Sequence, residues 1–193
     1  MILLVSGLAA FFGAHAVPMS PALRAGLMER TGEGVYKAAF SLLSLGGLVL
    51  IGLGYQALRA DPGVTIALWD PPVWTRHIAF ALMLPAMILL VAANVPSRIR
   101  TAAKHPMLLA IKIWALAHLI ANGDLASVLL FASFLAYAVF DRISLKRRGS
   151  LGPLGTKTGG PMNDLIVVAV GVALYVFMLL WGHGALIGVA LEG

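Results

Sequence analysis

Six stretches of this chain are apolar over close to the thickness of a bilayer, and that constrains its fold more than any other feature. Lipid offers no partner for backbone N–H and C=O groups, so a spanning segment must satisfy them internally, as a helix of roughly 20 apolar residues does across about 30 Å. The stretches run over 1–17, 36–58, 74–95, 106–121, 125–141 and 164–190. Turn residues punctuate them: Pro18 and Pro21, Asp61-Pro62-Gly63, Pro71-Pro72, Pro96, Asn122-Gly123-Asp124 and a Gly-rich run over 149–160. The expected architecture is an all-α polytopic membrane helix bundle of about six transmembrane helices, one membrane domain over 1–193, without internal repeats.

Charge supports the same reading and orients it. Only 11% of residues are charged and 60% are hydrophobic, whereas soluble domains carry about 25% charged residues. A net charge of +6 would point to nucleic acid in a soluble chain, but these cations lie between apolar spans, so no nucleic-acid partner is expected and the bilayer is the first partner. Arg24, Arg30 and Lys37 follow the first span, Arg98, Arg100 and Lys104 the third, and Arg142, Lys146, Arg147, Arg148 and Lys157 the fifth. Only Arg59 and Arg76 fall on the opposite side, so the positive-inside rule puts the odd loops in the cytoplasm and both termini outside, in the periplasm of a bacterial inner membrane. The first span imitates a signal peptide through Ala14-His15-Ala16, but no Lys or Arg precedes it, so it is read as a retained helix. The linker from Arg142 to Lys157 is expected to be a solvated, topology-setting loop.

With no cysteine present, disulfides, thiolate metal sites and thiol nucleophiles are excluded, leaving His, Met or oxygen for any metal chemistry. Asp61, Asp70, Asp124, Asp141, Asp164 and Glu192 all fall at span ends, which disfavours carboxylate acid–base catalysis. No dinucleotide, phosphate-loop or nucleophile-elbow pattern is present.

What remains is histidine. An ionisable side chain inside a span costs on the order of 3 kcal/mol on insertion scales, so each is a site hypothesis by default. His105 precedes Pro106 at a cytoplasmic boundary and reads as a turn residue. His118 shares a helix face with Ile111, Ala115 and Asn122, at steps of four, three and four. Ala115 would let a flat macrocycle lie against that face, and Asn122 would reach a ring nitrogen or a propionate. Lys112 lies about 120° away around the helix and faces a carboxylate or snorkels to the surface. Gly123 is expected in the left-handed position and Asp124 as cap of the next helix. Tyr36, Ser41 and Ser44 read as packing polarity, and Gly46, Gly47, Gly52 and Gly54 as one small face for close helix contact.

Depth tests which histidine pairs with His118. His15 lies about 20 Å below the outer surface and His118 about 6 Å below its hairpin tip, at 1.5 Å per residue. Spans four and five have about 16 apolar residues each, or about 24 Å, so a sunken tip brings the two closer. Without such sinking, His77 is the better partner by depth, and His183 in Trp181-Gly182-His183-Gly184 is a further possibility.

The blocks "FFGAHAVP" with Arg24, "VYKAAFSLLSLGGLVLIGLGY" and "KHPMLLAIKIWALAHLIANGDLAS" resemble the NnrU family of bacterial membrane proteins, and more distantly plant 15-cis-zeta-carotene isomerase. The resemblance covers nearly the whole chain. It implies a link to denitrification, with nitrite or nitric oxide reductase components as partners. The isomerase side of the resemblance implies b-type haem, with His15 and His118 as iron ligands at the "GAHA" and "LAH" positions. Where the isomerase has a cysteine this chain has Ala115, so a thiol-based ligand exchange does not carry over. The readings left by the sequence are a haem protein serving nitrogen-oxide metabolism, a haem-dependent cis-trans isomerase of a carotenoid-like lipid, and a cofactor-free membrane scaffold.

Overall fold

The computed structural model describes residues 1–61, 63–152, 154–189 and 191. Pro62 of the expected 61–63 turn and Glu192 at the end of the last span lie outside the described residues. Among those described the chain is helical without strands and divides into two compact units, Met1–Ile66 and Ala67–Gly193.

The first unit is a helical hairpin with a short helix between its arms. Helix α1 (Ile2–Ala16) runs through a single 3-10 turn, Val17–Met19, into α2 (Pro21–Thr31), and α3 (Glu33–Ala60) returns along α1. Ser20 caps α2 by accepting the Leu23 N–H, and Pro21 supplies a pre-set first helical residue. The whole of α2 lies in what the sequence reading treated as a loop. The arms touch backbone to backbone: a Cβ on Gly7 would fall 2.6 Å from the Ile51 nitrogen, and one on Gly47 2.8 Å from the Phe11 nitrogen. Gly54 is held as tightly against Leu4. Gly46 and Gly52 meet nothing, which corrects the expectation of one four-glycine face. Gly47 and Gly54 are seven residues apart and nearly eclipsed at 100° per residue, whereas a neighbouring residue is a quarter-turn away.

The second unit holds α4 (Trp74–Ala92), α5 (Arg98–Ala103), α6 (Pro106–Ala121), α7 (Leu125–Arg147), α8 (Pro161–Phe177), a π-helical turn (Met178–Gly182) and α9 (His183–Ile187). Helix α4 packs on α6 and α8, and α6 on α7. Gly171 of α8 lies against the backbone of Ile88, where a Cβ would come within 2.6 Å of the Ile88 Cα. At the end carrying the third and fifth loops, Arg100 is buried. It donates from Nη1 to the Lys157 carbonyl at 2.8 Å and from Nη2 to those of Gly155 at 2.8 Å and Leu151 at 3.5 Å. The carbonyls of Leu151, Gly155 and Lys157 thus converge on one guanidinium, an anchor that the expected topology-setting loop did not include. The Asp164 carboxylate adds an ion pair with Arg98 and accepts its backbone N–H.

Five segments are long and apolar enough to cross a membrane: Ile2–Met19, Glu33–Ala60, Trp74–Ala92, Leu125–Arg147 and Pro161–Ile187; Pro106–Ala121 is apolar but shorter. At most 22% of each spanning window is buried within the protein, and side chains such as Leu42, 71% exposed, face outward, as a lipid solvent permits and water does not. The fifth span is longer than the expected 125–141, because the helix continues past the end of its apolar run through Asp141 and Arg147. Of the two spans expected to be short, only α6 is.

Candidate functional site

Within the second unit the side chains around His118 form an aromatic-walled site. Trp114 precedes the imidazole by one turn, with ring centroids 5.3 Å apart, and Phe131 of α7 lies nearly parallel to it at 4.6 Å. Phe134, one turn beyond Phe131, meets Trp114 edge-on at 5.4 Å. Sequence reasoning missed this wall, although the spacing of Trp114 and His118 and of Phe131 and Phe134 signals one face on each helix.

The tautomer follows from the backbone. His118 Nδ1 lies 2.8 Å from the Trp114 carbonyl oxygen, which accepts only, so Nδ1 carries the proton and Nε2 keeps its lone pair. This is how proteins commonly orient a histidine that ligates a metal through Nε2. Asn122 does not reach the ring: its Nδ2 donates to the His118 carbonyl at 2.9 Å and its backbone N–H to the same oxygen at 3.0 Å. Its amide closes the end of α6, because the helix-terminal carbonyl is the nearest unsatisfied acceptor. Ala115 is wholly buried, so the flat surface expected there is already in contact with protein.

The tip of the α6–α7 hairpin is covered. Gly123 accepts the Leu68 and Trp69 N–H groups at 2.8 and 3.1 Å, and Ala67 pairs with Asp124 in an antiparallel bridge. Gly123 does not have the positive φ expected of it; it is glycine because a Cβ would collide with the Trp69 carbonyl. Asp124 caps α7 as expected, accepting the Ser127 N–H at 2.9 Å and its hydroxyl at 2.7 Å.

His183 is the second imidazole at this site. Its ring is 6.3 Å from that of His118, centroid to centroid, and within 11° of parallel. Its Nδ1 donates to the Val189 carbonyl at 2.7 Å, leaving Nε2 as lone pair here too. His77 is exposed on α4. His105 stands before α6 at the opposite end of that helix, half-buried; burial first and then the Arg142 cation push its pKa below the usual imidazole range, against the pull of Asp141. Lys112 makes no salt bridge among the described residues.

In the first unit His15 repeats the pattern of His118. Its Nδ1 lies 2.8 Å from the Phe11 carbonyl one turn back, and its ring stacks on Phe11 at 4.0 Å and leans on Phe40 at 5.0 Å. Nearby, Pro18, Arg24, Tyr36, Lys37, Phe40 and Ser41 line a cleft of 320 Å³, with the Arg24 guanidinium 5.8 Å over the Tyr36 ring. Lys37 is paired with Glu33, and the Tyr36 and Ser44 hydroxyls are buried without hydrogen-bond partners among the described residues. Each unit thus presents a backbone-anchored histidine against aromatic rings.

No three His, Cys, Asp or Glu side chains gather to hold a metal among the described residues. The model of a family described as NnrU protein matches residues 3–191, through both units. No curated protein and no solved structure matches the chain.

Proposed function

The chain belongs to the NnrU family, and from that premise we propose that it is a bacterial inner-membrane protein that binds b-type haem through His118 and serves nitrogen-oxide respiration. The observation that carries the reading is the bond from His118 Nδ1 to the Trp114 carbonyl, which fixes the ring and leaves Nε2 as the lone-pair nitrogen of an imidazole packed against Trp114 and Phe131. The donor set also fits the group. A bare ion in a membrane helix bundle would need three or four protein ligands, and no three gather among the described residues. Haem brings four nitrogens of its own and asks the protein for one or two imidazoles.

His118 is the anchoring ligand. Trp114 and Phe131 would pack against the macrocycle, and Asn122, by fixing the end of α6, holds His118 at a constant height. When bound, such an iron would supply one-electron chemistry. Components of nitrite or nitric oxide reductases are the partners this reading assigns, and the lipid bilayer its surroundings. With no cysteine in the chain, a thiolate ligand plays no part.

The test is a pyridine haemochrome assay and visible spectrum of the detergent-purified protein, repeated with His118→Ala. A Soret band in the wild type that is lost or strongly shifted in the variant supports the reading. A wild type without haem overturns the haem reading, and an unchanged spectrum in the variant removes His118 from the site.

A further inference from the structure

We infer that His118 and His183 form a two-imidazole coordination site in the second unit, with His183 as the second protein ligand of the metal and the π-helical turn before it as its aiming device. The identity of the metal as haem iron rests on the function proposed above; the pairing of the rings does not.

Where two Nε2 atoms face each other across a metal, two metal–nitrogen bonds of about 2 Å each and the inner halves of the two imidazoles would come to about 6 Å between centroids. The observed centroid separation is 6.3 Å, with the planes 11° apart. Both rings are fixed from behind by carbonyls of their own segments, Trp114 for His118 and Val189 for His183. Two neutral imidazoles with anchored Nδ1 protons leave two Nε2 lone pairs, and neither makes a further hydrogen bond among the described residues. Such a pair in apolar surroundings lacks an electron-pair acceptor, which a metal centre supplies.

The second observation is independent of ring geometry. Helix α8 buries Val167 and Gly171 against its neighbours. At about 100° per residue, an uninterrupted helix would place His183 about 120° around from Gly171, away from that face. Instead the His183 N–H bonds the Met178 carbonyl five residues back. The residue inserted by this π turn takes back about 100°, leaving His183 about 20° from the Gly171 direction. Gly182, buried in the turn, leaves room for the Met178 sulfur and the Phe177 ring, each 2.7 Å from where a Cβ would stand. Gly188, at φ 78°, then ends α9 and folds the Val189 carbonyl back onto His183. π turns are rare and concentrate at functional sites.

The full-length protein in mild detergent, loaded with haem during expression, tests this by ferric EPR and visible spectroscopy. Wild type is expected to give a low-spin, two-imidazole spectrum. His183→Ala should lose it and regain it on addition of free imidazole, and deletion of Leu180, which removes the extra residue of the π turn, should lose it while leaving His183 in the chain. His183→Met, which substitutes one axial ligand for another, should shift the reduction potential upward and covers the case in which the alanine variant fails to fold. A low-spin two-imidazole spectrum that survives His183→Ala overturns the inference, leaving the haem reading standing. A wild type without haem sinks that reading alone, and the pair is then probed with one equivalent of Cu²⁺. Two-nitrogen hyperfine structure lost in both His118→Ala and His183→Ala supports the site; identical Cu²⁺ spectra in wild type and both variants overturn it.

Discussion

The backbone of Gly47 lies against that of Phe11 so closely that a Cβ on the glycine would sit 2.8 Å from the Phe11 nitrogen and 3.0 Å from the Gly7 carbonyl oxygen. Neither neighbour is a flexible side-chain end, so the two helices must separate to admit a methyl group. Gly47→Ala is expected to destabilise the first unit by about 1–3 kcal/mol, the range for overfilled packing. Gly46→Ala, with nothing within 4 Å of its Cβ, should be neutral or slightly stabilising. Thermal unfolding in detergent of the two adjacent variants checks this, and equal melting temperatures would contradict the packing described.

Arg100 gives a second prediction. Its guanidinium is the common partner of three carbonyls in the 151–157 segment, and hydrogen bonds to charged groups contribute about 1.5–3 kcal/mol. Arg100→Ala should therefore release this segment rather than merely alter surface charge. Trypsin is expected to cut at Lys157 several-fold faster in the variant, with the reduced-haem spectrum of any bound cofactor unchanged. Equal cleavage rates would show that the segment is held by other means.

How much of this was legible in the sequence depends on what reports each feature. The apolar helices were legible because lipid demands length and apolarity, and both are linear properties. Their ends were not: α7 runs on through Asp141 to Arg147 because charge ends an apolar run without ending a helix. Helix α2 was hidden by its polar composition, although Ser20-Pro21 is a helix-start signal in plain view. His118 stood out because an imidazole in an apolar run is costly, but the bond by which Asn122 closes the helix on the His118 carbonyl was not legible. The approach of His183 to His118 was beyond reach, since it depends on a one-residue change of helical phase that no periodicity records. Arg100 was assigned to topology with the other cations, because burial of one arginine among many is a tertiary fact.

His105 sets a pH dependence. Its imidazole is shifted below its usual range by burial and by Arg142, Arg100 and Lys112, against the opposing pull of Asp141. A histidine that binds its proton less tightly when folded does not affect stability above the unfolded pKa of about 6.5, where both states are neutral. As pH falls through that value the unfolded chain takes up the proton first, so stability declines toward the lower folded pKa. Melting temperatures measured from pH 7.5 down to 5 should fall, and His105→Gln should flatten part of that slope. A slope identical in the variant would assign the effect elsewhere.

Gly123 provides a test of how the hairpin near His118 is closed. Its carbonyl accepts two backbone N–H groups, from Leu68 and Trp69, and its missing Cβ is what lets the Trp69 carbonyl approach. Gly123→Ala cannot keep both contacts, because the obstacle is backbone and the methyl group has no other rotamer to occupy. Each lost bond removes about 0.5–1.5 kcal/mol, so the 67–69 segment should lift from the tip while α6 and α7 stay helical. Hydrogen exchange at the Leu68 and Trp69 amides is expected to rise by one to two orders of magnitude, with that of α7 core amides little changed. Because Asn122 closes α6 on the His118 carbonyl independently of this segment, the His118 tautomer should survive. A variant in which the amides of Leu68 and Trp69 stay protected would mean that the tip is not covered as described.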